Sequence, residues 1–234
     1  MYKDRILFLV FLLLMTVSFG QNKQQNTVVI NTRIDSLCRT AGTAIQNFDY
    51  EQSLKNFESA RELATSIDNK NRIGLTSNYL AQVYLQLGDY KKANIECIQA
   101  ITIQQGINDI PGLGNSFLTS AQIQLKLSNY EKAGQYLEQA SKIFKDLKDE
   151  FHLASTYLYK GNREFMLKNL EEAITNYDSA LSIFNKTDKD EYLKSKTALQ
   201  KAKVHAALDQ YEMALVAGNM AYDISVKNNY PQIE

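Results

Sequence analysis

The chain has 234 residues, 44% of them hydrophobic, with 26 basic and 26 acidic side chains. That apolar share is enough to bury a core and excludes a chain disordered by composition, while balanced charge without a basic stripe excludes a nucleic-acid binder. Two cysteines (Cys38, Cys97) and two histidines (His152, His205) lie far apart and form no metal or redox spacing, so no metal or cofactor is expected.

The first twenty residues are a separate object. Lys3 and Arg5 precede an unbroken apolar run, Ile6–Val17, which ends in Ser18-Phe19-Gly20. A charged start, a short apolar core and a small-x-small end form the signature of a cleaved export leader. The run is shorter than the roughly twenty residues that span a bilayer. We expect a signal peptide over 1–20, with an uncleaved membrane tether as the alternative, and no lipid attachment because no Cys follows Gly20. The mature chain is then exported, periplasmic or membrane-associated; the bacterial envelope is implied only by the family resemblance given below. The polar run Gln21–Thr27 reads as a disordered lead-in.

From Val28 onward the sequence repeats itself. An aromatic residue or Leu recurs at Tyr50, Tyr90, Tyr130, Leu170 and Tyr211, a period of forty with one extra residue in the loop 185–191. Ten residues after each stands Ala60, Ala100, Ala140, Ala180 and Ala221. Nine before each stands Ala41, Ala81, Ala121, Gly161 and Ala202. The spans are about 28–68, 69–108, 109–148, 149–188 and 189–228. Each copy predicts two helices. Leu75, Tyr79, Val83 and Leu87 fall at helical spacing in a first helix, and Ala93, Cys97, Ala100 and Ile103 fall on one stripe of a second. Gly88 suits the left-handed end of the first, and Asp89 suits the N-cap of the next. Asp49 and Asn129 fit that cap role, and Asn169 with Glu172 has capping-box spacing. Small residues at the recurring positions let antiparallel helices cross at about 8–10 Å.

The pattern Ala81-x-x-Tyr84-x-x-Leu87-Gly88-Asp89-Tyr90-x-x-Ala93, followed by Ala100, resembles the tetratricopeptide repeat (TPR) family over nearly all of the mature chain. It departs from the family's usual thirty-four-residue period, and Thr65, Gln105, Lys145 and Asn185 stand where the family places Pro. Six extra residues add about 9 Å of helix per repeat. The longer period is similar to that of bacterial peptide-responsive regulators and of extracytoplasmic sensor segments. The resemblance implies an all-α, right-handed superhelical solenoid of about five helix pairs, with first helices lining a concave groove, and a binding protein rather than an enzyme.

No catalytic constellation accompanies His152 or His205. Cys97 reads as a small hydrophobe. No bridge to Cys38 is expected, because their helices are not neighbours. One residue past each small position of the first helices come Gly42, Gln82, Gln122, Asn162 and Lys203. Three consecutive amides can pair with an extended peptide backbone as donors and acceptors. One turn earlier stand Asn78, Leu118, Leu158 and Leu199, with the leucines offering apolar contact. The candidate peptide-binding residues are therefore Asn78, Gln82, Leu118, Gln122, Leu158, Asn162 and Lys203. The Lys–Asn pair with which some TPR proteins grip a terminal carboxylate is replaced here by Cys38 and Gly42. The expected partner is a peptide or protein segment. The alternative is a sensory input module of a membrane-bound signalling protein, a kinase or transcriptional regulator. At the other end, the second helix over Tyr211–Val226 carries Ala214, Leu215, Ala217, Ala221, Ile224 and Val226 with nothing long enough after it to cover them. Residues 229–234 read as the start of a further repeat, with Pro231 matching Pro111. The expectation is that the rest of a longer chain, a partner, or a second copy through self-association covers that helix.

Overall fold

A computed structural model describes residues 2–187, 190–228 and 230, and side chains from residue 24, that of residue 187 excepted. Ten helices make up the described residues: α1 (Tyr2–Gln46), α2 (Tyr50–Ser66), α3 (Lys70–Gln86), α4 (Tyr90–Gly106), α5 (Ile110–Lys126), α6 (Tyr130–Asp146), α7 (Glu150–Met166), α8 (Leu170–Thr187), α9 (Glu191–Ala207) and α10 (Tyr211–Lys227). The side chains of the expected leader, Met1–Gly20, and most of the expected further repeat, 229–234, lie outside the described residues. The polar segment Gln21–Thr27 is not a disordered lead-in but part of α1. It holds neither Pro nor Gly, and Gln and Lys extend a helix already nucleated by the packed stretch that follows. Among residues with described side chains, no helix is long and apolar enough to cross a membrane.

One turn design serves nearly every corner. From α1 to α8, and again between α9 and α10, three residues join the helices and the middle one has positive φ: Phe48, Asp68, Gly88, Asn108, Ser128, Lys148, Lys168 and Asp209. The backbone N–H of the third then donates to the carbonyl five residues back, as in Asp89 N to Tyr84 O (2.9 Å), Asp109 N to Gln104 O (2.9 Å) and Asp149 N to Phe144 O (2.9 Å). That is a Schellman closure. Only Gly88 is the glycine expected at such a site. Elsewhere an L-residue takes the left-handed turn because helices fixed on both sides allow no other exit. Turns between repeats match turns within them, which is why Pro is not needed after the second helix.

The third turn residue also starts the next helix. Asp49, Asn69, Asp89, Asp109 and Asp149 each accept from the amide three residues on, at 3.0–3.2 Å. That bond holds the Asp89 carboxyl below its ordinary range. Asn129 departs from the expected cap role: its side chain makes no cap bond and donates to Gln124 Oε1 instead (3.0 Å). The extra residue before α9 breaks the pattern, and Asp190 is itself both left-handed and N-cap.

The recurring small residues are buried throughout. Each second helix from α2 to α8 packs between its own first helix and the next one. First helices also touch along the array, α3 to α5, α5 to α7 and α7 to α9, with no comparable contact between second helices. The first helices are therefore the inner layer of a helical solenoid and the second helices the outer one.

Candidate binding groove

The inner face is set by helical rotation. Gln82, Gln122 and Asn162 stand in register on α3, α5 and α7, each half-buried, and Lys203 on α9 is exposed. Gln82 Nε2 reaches across the repeat boundary to Thr119 Oγ1 (3.4 Å). Asn162 Oδ1 accepts from Tyr177 OH (2.9 Å), so this amide is partly engaged in holding α8.

The residues one turn earlier are not on this face, contrary to expectation. Asn78, Leu118 and Leu158 are buried. Leu118 packs with Ala121, Leu137 and Phe144, and Leu158 with Ala154, Tyr177 and Phe184. Four residues turn a helix through about 400°, and the extra 40° aims these side chains at the second helix of their own repeat. Seven residues back, the rotation nearly closes. Leu75, Asn115 and Lys196 share the inner face with the amides and are part-exposed, positions that a four-residue step misses and a seven-residue step finds. Lys196 Nζ lies 5.8 Å from the ring of Tyr159, whose hydroxyl burial pushes up to about 12. The face thus runs from the Asp35–Arg72 pair (2.7 Å) in the first repeats, through neutral amides, to Lys196 and Lys203 in the fifth.

The chemistry available is pairing rather than bond-making. His152 Nδ1 sits 2.6 Å from Asp149 Oδ2 and its ring stacks on Phe144, so it belongs to the start of α7. His205 is buried against Gln210 Oε1 (2.7 Å). Cys97 Sγ contacts Ser116 O (3.2 Å) and Ser120 Oγ (3.1 Å), and burial raises its thiol to about 11, which suits a packing residue and not a nucleophile. Cys38 and Cys97 are both free. Among the described residues no group of three or more His, Cys, Asp and Glu is placed to hold a metal.

On α10, Ala217 and Ala221 are buried, while Tyr211, Leu215, Tyr222 and Val226 are 57–68% exposed. Of their counterparts on α8, Leu170 and Ile174 pack in a cluster with Leu193, Val204 and Leu208 of the α9 region and buried Leu181 packs with Ala198 and Leu199, while Asn185 is exposed. Among the described residues, the exposed apolar positions of α10 are these larger side chains and not the alanines Ala217 and Ala221.

Solved structures share this architecture. BtubC from P. vanneervenii superposes with TM-score 0.66 at 17% identity, over 90% of this chain and 94% of that one. A Rap protein complexed with competence and sporulation factor gives 0.76 at 14%, over 83% of this chain and 54% of that one. A signal-transduction ATPase with a tetratricopeptide-repeat sensor, from Pyrococcus horikoshii, gives 0.69 at 19%, over 92% and 33%. This chain therefore spans only part of the latter two. No protein of curated function matches. The family model for the tetratricopeptide repeat matches residues 34–106, 74–146 and 112–186, well over half the chain. Proteins of this fold are generally non-catalytic interaction scaffolds, and the chain belongs to the tetratricopeptide repeat family.

Proposed function

We propose that this protein is an extracytoplasmic scaffold that holds an extended peptide or protein segment along the inner face of its first helices. The observation that carries the reading is the in-phase, half-exposed pair Gln82 and Gln122, continued by Asn162 and Lys203. A primary amide offers both a donor and an acceptor, matching the alternation of an extended backbone. Leu75 beside them adds apolar contact, and Lys196 and Lys203 favour an acidic group toward the fifth repeat. The complexed Rap protein supports ligand capture by an array of this shape. Export rests on Lys3, Arg5, the apolar run Ile6–Val17 and Ser18-Phe19-Gly20. Intact mass of the envelope-located protein should place Gln21 first, and retention of residues 1–20 there would favour a membrane tether. The alternative, an input module of a membrane-bound signalling protein, draws on the similarity to a tetratricopeptide-repeat sensor. The binding test is capture from envelope extract by the wild-type chain beside Gln82→Ala/Gln122→Ala. A partner held by the first and lost from the second, with equal melting temperatures, is the expected result; equal capture contradicts the groove.

A further inference from the structure

The five repeats act as internal controls for one another, and the second repeat departs from its neighbours on its outer edge. The second residue of the second helix is Glu51, Glu131, Glu171 and Glu212 in four copies but Lys91 in α4. Where the first, third and fourth repeats have Lys55, Gln135 and Thr175, α4 has Ile95, 56% exposed, an aliphatic position shared only with Val216 of the fifth. Where the others have Glu58, Glu138, Asp178 and Asn219, it has Ile98, 51% exposed. In later repeats that acid bridges to the next first helix, Glu138 to Lys160 (2.7 Å) and Asp178 to Lys201 (2.5 Å). The matching lysine position after α4 holds Ser120. Neither half of that pair is present between α4 and α5.

Lys91 and Ile95 line a cavity of about 480 Å³ between the starts of α4 and α6 and the end of α5. Lys91 and Lys132 stand in its lining, with the apolar side chains of Ile95 and Leu127. Neither lysine forms a salt bridge among the described residues. Gln124, buried in the lining, donates Nε2 to Asn94 Oδ1 (3.3 Å) and accepts from Asn129 Nδ2 (3.0 Å). Those bonds orient Asn94 so that its own Nδ2 donates to no group among the described residues. The equivalent space one repeat later is closed: Arg163 lies over Gly134, its Nε donating to Tyr130 O (2.8 Å) and its Nη1 pairing with buried Glu164. The groove amides take no part in this lining.

We infer that this edge of the second and third repeats is a second docking site, separate from the groove, for a protein segment that presents a carboxylate beside an aliphatic side chain. Two ammonium groups that form no salt bridge among the described residues, with the Asn94 amide donor, complement the carboxylate, and Ile95 and Leu127 in the lining, with exposed Ile98 nearby on α4, receive the aliphatic group. A membrane or nucleic-acid surface fits less well, because only two lysines flank the cavity and the isoleucines sit between polar side chains.

The variant that tests it is Lys91→Glu/Ile95→Lys/Ile98→Glu, which restores residues that other repeats carry at these positions and so keeps the fold. A random dodecapeptide display library is panned on the full chain, with this variant as counter-selection. The expected result is enrichment of peptides with Asp or Glu next to Leu, Ile or Val. Synthetic copies should bind the variant at least tenfold more weakly and Gln82→Ala/Gln122→Ala unchanged. Failure to enrich, sequences without an acid, or equal binding to the variant would overturn the site. So would binding of anionic vesicles or single-stranded RNA, without peptide enrichment, that the variant abolishes. Peptides lost only with the groove variant would overturn this site and leave the groove intact.

Discussion

Gly161 tests the packing logic of the array most sharply. It occupies the small position that is Ala in the other four copies, and opposite it stands Tyr177, fully buried, where the other second helices carry Phe57, Cys97, Leu137 and Gly218. A Cβ at residue 161 would lie 2.5 Å from Tyr177 Cε1 and 2.6 Å from Cδ1. Relief requires a shift of about 1 Å, since carbon atoms pack at about 3.5–4.0 Å. The ring is held by Asn162 through its hydroxyl and by Ala154, Leu158 and Phe184 around it. Overpacking of this kind costs about 1–3 kcal/mol. Alanine's better helix propensity returns up to about 1 kcal/mol. Gly161→Ala should therefore destabilise by a net of up to about 2 kcal/mol, lowering the melting temperature by as much as roughly 8 °C for a chain of this size. The double change Gly161→Ala/Tyr177→Leu recreates the Ala121–Leu137 pairing of the preceding repeat. It should melt higher than the sum of the single changes predicts, with a coupling of about 1 kcal/mol. Thermal melts of the four proteins complete the cycle. A Gly161→Ala protein as stable as wild type, or strict additivity, would refute the claim that Tyr177 dictates glycine.

Ala140→Phe forces a ring into a buried helix crossing and should cost about 1–3 kcal/mol, whereas Lys142→Phe on the exposed face of the same helix should be near neutral. Asn162→Ala should lower the melting temperature as well as ligand affinity, because it removes the acceptor of Tyr177 OH, about 1 kcal/mol; Gln122→Ala should lower affinity alone. Adding charge at Leu215 and Tyr222 should leave the melt unchanged and abolish self-association seen by light scattering; a wild-type monomer at all concentrations would dismiss the α10 contact. Burial raises Cys97 from 9.0 to about 11 and Tyr159 from 10.0 to about 12, so the fold favours their protonated forms. Their contribution is complete below pH 9 and is lost as pH rises through 11–12. Melts should be flat from pH 7 to 9 and fall above it, with Cys97→Ala delaying the onset; an unchanged onset would contradict the burial argument.

The array was legible because its signals are periodic. Ala60, Ala100, Ala140 and Ala180 hold one phase, and Tyr50, Tyr90 and Tyr130 hold another, so misreading one copy could not disturb the rest. The turns were only half legible: Gly88 announces a left-handed residue, but Lys148 and Lys168 adopt the same φ with no mark in their chemistry, compelled by the helices on either side. Phase alone puts Gln82 and Gln122 in register at half-buried positions, whereas Asn78, Leu118 and Leu158, expected on the same face, are buried. Helical spacing names a stripe about 100° wide, and only packing decides which edge of that stripe a second helix covers. Lys196 was missed although it shares a face with Lys203, because it lies two turns away rather than one. Asn129 illustrates a different limit. Its type suits a cap, yet Gln124, five residues earlier, competes for the same amide.

The most direct test of the central claim is site-specific photocrosslinking in the native cell, with a benzophenone amino acid placed at Gln82, at Gln122 and, as an outer-face control, at exposed Gln139 on α6. The groove reading predicts discrete adducts of one partner from residues 82 and 122 and none from 139. Adducts of equal yield from all three positions, or none from the groove while the protein is folded and abundant, would contradict it.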